Sequence, residues 1–197
     1  MANLVQGIGI NDGKYPSKIN SVHQKEYRLW QDMLTRCSKT YFIKRPTYIN
    51  VTCSNNFKNY SYFYEWCQKQ IGFGCIDGNG DKWCLDKDLL SKDSKVYSEN
   101  TCVFIPIRIN TLLVKSNATR GEYPIGVRLH RNKYKATCNN EFGDASYLGS
   151  FFTAEEAFKA YKEFKEAIIK KVANEYKSKI DQRAYNALIC YEVNIED

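Results

Sequence analysis

Tyr123-Pro-Ile-Gly-Val-Arg-Leu-His130, Lys133-Tyr-Lys-Ala-Thr-Cys138, Ala145-Ser-Tyr-Leu-Gly-Ser-Phe151 and Thr153-Ala-Glu-Glu-Ala-Phe-Lys-Ala-Tyr161 follow one another in the back half of the chain. Residues 125–129, 133–138 and 145–151 are short β-prone runs, with turn signals at Arg131-Asn132 and Phe142-Gly-Asp144. Thr153-Ala-Glu-Glu156 is a capping box, in which hydroxyl and carboxylate satisfy the free amides of a helix start. Ala157, Ala160, Tyr161, Phe164, Ile168 and Val172 then recur at helical spacing as one apolar stripe. Three strands and a helix form a minimal α+β unit, with one sheet face on the helix and the other left to solvent. Alternation assigns Arg128, His130, Lys133 and Lys135 to the solvent face, and Arg131 joins them from the turn. A basic β-surface suits the width of the DNA major groove.

Upstream, Val114 to Glu122 is polar and without periodicity, and reads as a linker between residues 1–117 and 118–197. Ahead of it, Trp83 to Leu90 reads as a strand running into a turn, Cys102 to Pro106 as a second strand and Ile107 to Leu113 as a short helix. Gly72 to Gly80 reads as a turn. It lacks the Lys-Ser/Thr ending of a P-loop and the ligand spacing of a calcium loop. Helices are expected over His23–Cys37 and Phe57–Ile71, with a short β-prone run at Tyr48–Cys53 between them. Asp181 to Tyr191 is expected to be a last short helix.

The chain has 197 residues, 43% of them hydrophobic, enough for a packed core and against wholesale disorder. Net charge is +7, from 29 basic and 22 acidic residues, and its placement is informative. Met33 to Tyr64 holds no acid, but it carries Arg36, Lys39, Lys44, Arg45 and Lys58 interleaved with Tyr41, Phe42, Tyr48, Tyr60 and Tyr62. Cations neutralise phosphates and rings stack on bases, so Arg36, Lys39, Lys44 and Arg45 are further candidate DNA contacts. The eight cysteines include no Cys-x-x-Cys pair, so no structural zinc is expected. No run reaches the length of a membrane span, and the N-terminus has no basic, then apolar, leader. Those readings place the chain in the cytoplasm, with reduced thiols.

The back segment, about residues 121–165, resembles an AP2-type DNA-binding domain. The likeness rests on Tyr123-Pro-Ile-Gly-Val127, Lys133-Tyr-Lys-Ala136, Tyr147-Leu-Gly-Ser-Phe151, Thr153-Ala-Glu-Glu-Ala157 and Ala160-Tyr161. It departs at Tyr134, where the plant domains favour Trp, and in the sparse basic charge of residues 139–146. The front half resembles the phage HNH endonucleases in Tyr27-Arg-Leu-Trp30, Met33-Leu-Thr-Arg-Cys37, Trp66, Leu85-Asp-Lys-Asp-Leu-Leu90, Tyr97 to Pro106 and Ile109-Asn110. That resemblance implies two strands and a helix around one divalent metal, Mg or Mn. Asp86 matches the first metal ligand, Asn100 the bracing asparagine and Asn110 the helix ligand. Lys87 stands where the family has its general-base histidine. A lysine is a poor base near neutral pH and, charged, is better suited to gripping phosphate.

The fold expected is therefore α+β: N-terminal helices with an HNH-like ββα-metal core, then a three-stranded antiparallel sheet packed on a long helix. Two functions fit. One is a sequence-specific, metal-dependent DNA endonuclease of homing type, catalytic through Asp86, Lys87 and Asn100, with Asp86 and Asn110 on the metal. The other is a catalytically inactive, nuclease-derived DNA-binding regulator or counter-defence protein. The partner expected is double-stranded DNA, with a homodimer left open and no membrane. If phage-encoded, the protein would work in the host cytoplasm.

Overall fold

The structure, a computed structural model, describes residues 4–196 apart from 79, 81, 93 and 116–120. Most of the linker stretch expected at 114–122 lies outside the described residues, as does Asn79 of the glycine-rich loop. The chain is mixed α+β and divides into two compact units, Met1–Pro106 and Ile107–Asp197.

In the first unit, β1 (Lys18–Ile19) and β2 (Val22–His23) form a small antiparallel ladder ahead of α1 (Lys25–Arg36). α1 starts two residues later than its apolar stripe suggests, because His23 is held in that ladder. α2 (Lys39–Lys44) follows, capped by Ser38, whose hydroxyl accepts from the Tyr41 amide. Residues 46–48 form a 3-10 turn and only Thr52–Cys53 is strand, β3. α3 (Tyr60–Gln68) opens at the Asn59 cap, later than the expected start at Phe57, which lies in a 3-10 turn. Its early end leaves Ile71 54% exposed, so Phe63 and Trp66 complete the buried face in its place. β4 (Trp83–Asp86) pairs antiparallel with β6 (Val103–Pro106), and β5 (Val96–Tyr97) pairs parallel with β3.

The core of this unit is aromatic. Trp30, Phe57, Tyr60 and Phe63 are fully buried, and the Trp30 indole donates to the Phe57 carbonyl at 2.7 Å. That bond satisfies the one polar atom a buried tryptophan carries.

The second unit opens with α4 (Ile107–Leu112), which packs on α5. β7 (Val127–His130), β8 (Lys133–Asn139) and β9 (Ala145–Phe151) form an antiparallel meander in the order β7-β8-β9. α5 (Ala154–Glu175) lies across it, started by the Thr153/Glu156 capping box. Phe158, Tyr161 and Phe164 of α5 meet Ile125, Val127, Cys138 and Leu148. Three short strands cannot cover a 22-residue helix; α6 (Gln182–Ile189) packs on α5 as well. At Gly126 (φ +76°) a Cβ would stand 2.1 Å from the Tyr161 ring, so glycine is required by both backbone and packing.

Candidate nucleic-acid interface

Residues directly opposite in an antiparallel pair share a face. Arg128 pairs with Lys135, His130 with Lys133, and Lys135 with Ser150, so these side chains line one face. The other face carries Ala136 and Cys138, both buried against α5. The outer face is thus the one that alternation assigns to Arg128, His130, Lys133 and Lys135. No Asp or Glu lies in β7, β8 or β9. Arg131 and Asn132 close the β7–β8 hairpin with φ of +49° and +61°. Two positive φ values give the turn whose twist matches the strands. An arginine there stores strain that a glycine would not.

Two aromatic rings belong to this face. A bulge in the β8–β9 register at Ala136/Thr137 sets Tyr147 opposite Thr137 and Gly149 opposite Ala136. Tyr147 therefore points out although Phe151, four residues on, pairs with Tyr134 on the inner side. Simple alternation along β9 would put Tyr147 and Phe151 on one face; the inserted residue breaks the phase. Tyr147 is 59% and Phe152 77% exposed. Lys135 Nζ lies 4.7 Å from the centre of the Tyr147 ring, and Lys133 Nζ 4.7 Å from that of Phe152. Ser150 Oγ shares a 2.8 Å hydrogen bond with the Tyr147 hydroxyl and holds that ring in place.

In the first unit, Lys39, Lys44 and Arg45 are exposed on and just after α2, beside the 83% exposed Ile43. Arg36 is half-buried instead and donates to the Tyr97 hydroxyl at 3.4 Å. Its role is structural in that contact, which leaves Lys39, Lys44 and Arg45 as the exposed cations of the four candidates.

The Asp86–Leu89 turn closes on itself. Asp86 Oδ1 accepts from the amides of Asp88 (3.0 Å) and Leu89 (2.7 Å). Burial pushes the Asp86 carboxyl above its ordinary pKa, against the pull of those amide bonds. Lys87 is 7% exposed, with its ammonium on the Asp88 carboxylate and 5.7 Å from the centre of the Tyr97 ring. The side chain is packed inward, and its charged end is held by the Asp88 carboxylate, which is itself 63% exposed. Asn100 is exposed in the turn between β5 and β6, and Asn110 lies on α4 in the second unit.

His23, the histidine of this unit, stacks on Tyr27 with centroids 5.2 Å apart. Its Nδ1 is buried and has no hydrogen-bond partner among the described residues. α1 rises about 1.5 Å per residue, so its two ends stand roughly 17 Å apart. His23 sits at one end and Arg36, with Tyr97, at the other, so His23 does not replace the base missing at Lys87. For a divalent ion Asp86 offers its second oxygen, but no cluster of three His, Cys, Asp or Glu that could hold a metal occurs among the described residues. No described helix is long and apolar enough to cross a membrane.

No family model, curated protein or solved structure matches the chain.

Proposed function

We propose that the protein is a sequence-specific, double-stranded-DNA-binding protein whose second unit, AP2-like, lays the outer face of its sheet in the major groove. The observation that carries this reading is the acid-free outer face: Arg128, His130, Lys133 and Lys135 in register, with Arg131 at the hairpin tip. Phosphate neutralisation would supply affinity, and side chains on a ribbon narrow enough for the groove would supply readout. Lys39, Lys44 and Arg45 on α2 would add phosphate contacts from the first unit.

The first unit is then an HNH-like scaffold that no longer cuts, as in a regulator or a counter-defence protein. The inward Lys87 supports this, because the position of the family's general base is built into the interior. A metal-dependent endonuclease of homing type, with Asp86 and Asn110 on Mg or Mn and Asn100 bracing the loop, is the second reading. One observation favours it: Asp86 keeps a half-buried carboxyl whose ionised form burial opposes, with Oδ1 committed to the turn amides and the other oxygen left for a cation.

One experiment tests both. A labelled random-sequence duplex pool is titrated with the full chain at rising salt, with and without Mg²⁺ or Mn²⁺. Binding that weakens steeply with salt and leaves the duplexes whole is expected. Metal-dependent nicking would establish the second reading, and no binding at low salt would refute both.

A further inference from the structure

We infer that Tyr147 and Phe152 make the outer sheet face a reader of pyrimidine 5-methyl groups, so that the protein distinguishes thymine from uracil in duplex DNA. The inference rests on the DNA-binding reading above and adds to it which chemical feature of the groove is recognised. In the major groove, thymine differs from the other bases in presenting an apolar methyl, which apolar side chains contact. The outer face holds two rings in the midst of its cations, 59% and 77% exposed, the large apolar groups on a face that otherwise offers charge, hydroxyl, the Asn139 amide and the small Ala145.

How each ring is held selects its use. Lys135 and Lys133 each place an ammonium 4.7 Å from a ring centre, so one face of each ring is already taken by a cation. Stacking a base on that face would displace the ammonium and forfeit its attraction to the ring. The ring edges stay open, and the Tyr147 edge is fixed by its bond to Ser150. An edge flanked by a cation matches what a thymine shows in the groove, a methyl next to the O4 acceptor. The lysine can donate to O4 while the ring covers the methyl. With the bulge, Tyr147 to Phe152 lies against only Thr137 to Lys133 and spans roughly 13 Å at the usual strand rise, so the two rings fall on different base pairs about four steps apart.

The test uses duplexes selected by the full chain from a random-sequence pool. Each is re-amplified with dUTP in place of dTTP, which removes every thymine methyl and leaves pairing and phosphates unchanged. Covering one methyl contributes about fourfold in affinity, so the wild type should bind the uracil form about 4–16-fold more weakly. Tyr147→Ser and Phe152→Ser should each bind the thymine form more weakly and discriminate less, with the salt slope unchanged. Phe152→Leu, which keeps an apolar side chain on the methyl, should retain most of the discrimination. Thermal unfolding of each variant checks that the fold is intact. Equal affinity for the two forms, with selection successful, overturns this inference and leaves the DNA-binding reading standing. Failure of the pool to enrich overturns both. A preference for single strands over duplex would also overturn the inference, since it would mean that the rings stack on bases.

Discussion

Single residues carry much of what the fold demands, and their substitutions separate structural from functional roles. Gly126→Ala should cost about 2–4 kcal/mol in urea unfolding, because it combines a positive φ with a collision at Tyr161. Arg131→Gly should do the reverse for stability. Relief of the left-handed strain is worth about 1–2 kcal/mol, while DNA binding should weaken by about 1–3 kcal/mol if Arg131 reaches a base edge. A rise in melting temperature with undiminished binding would remove Arg131 from the interface. Lys87→Met fills the same space without a charge, so stability should be unchanged or higher by about 1 kcal/mol, and affinity for DNA should not move. A large drop in affinity would show that the ammonium does meet phosphate.

Asp86 gives a pH signature. Its native carboxyl holds a proton to higher pH than in the unfolded chain, so the folded state binds more protons between the two pKa values. Stability therefore falls as pH rises through that window, which begins at the ordinary carboxyl value and extends upward. Asp86→Asn keeps an oxygen for the Asp88 and Leu89 amides and removes the buried charge. It should stabilise the protein at neutral pH, and the gain should vanish in acid, where wild-type Asp86 is protonated. A melting-temperature difference that is flat across pH would contradict this.

At the scale of elements, sequence pattern and structure agree where local chemistry is strong. The capping box, the Arg131-Asn132 turn and the apolar stripe of α5 each depend on near neighbours, and each is readable from the residues alone. Boundaries are not readable where partners distant in sequence decide. His23 is drawn into the β1–β2 ladder, β3 exists only by pairing with β5, and α3 stops short of Ile71. The outward position of Tyr147 is hidden too, because a bulge leaves no signature in a run such as Ala-Ser-Tyr-Leu-Gly-Ser-Phe and reverses the phase of everything after it. So is the burial of Lys87, since a lysine between two aspartates reads as a solvated turn until Tyr97 is seen beside it. The outer basic face is legible because β7 and the start of β8 alternate without interruption.

For the whole molecule, the compact second unit begins at Ile107, ahead of the polar linker stretch. α4 brings Ile109, 1% exposed, and an Arg108–Glu175 ion pair of 2.7 Å to the second unit. A fragment of residues 107–197 should accordingly unfold at higher urea than one of residues 118–197. The difference expected is about 2 kcal/mol or more, chiefly from burying Ile109. Equal midpoints would mean that α4 contributes nothing to the unit it packs in.

The central claim is that the outer face of β7, β8 and β9 binds duplex DNA. The direct measurement is the affinity of the full chain for its selected duplexes against salt, for wild type and for Arg128→Ala/Lys133→Ala/Lys135→Ala. In a log–log plot the wild type should show a steep negative slope. The triple variant should bind at least about tenfold more weakly, with the slope shallower by about 0.9 for each phosphate that it no longer neutralises. A folded triple variant with wild-type affinity and slope would contradict the claim.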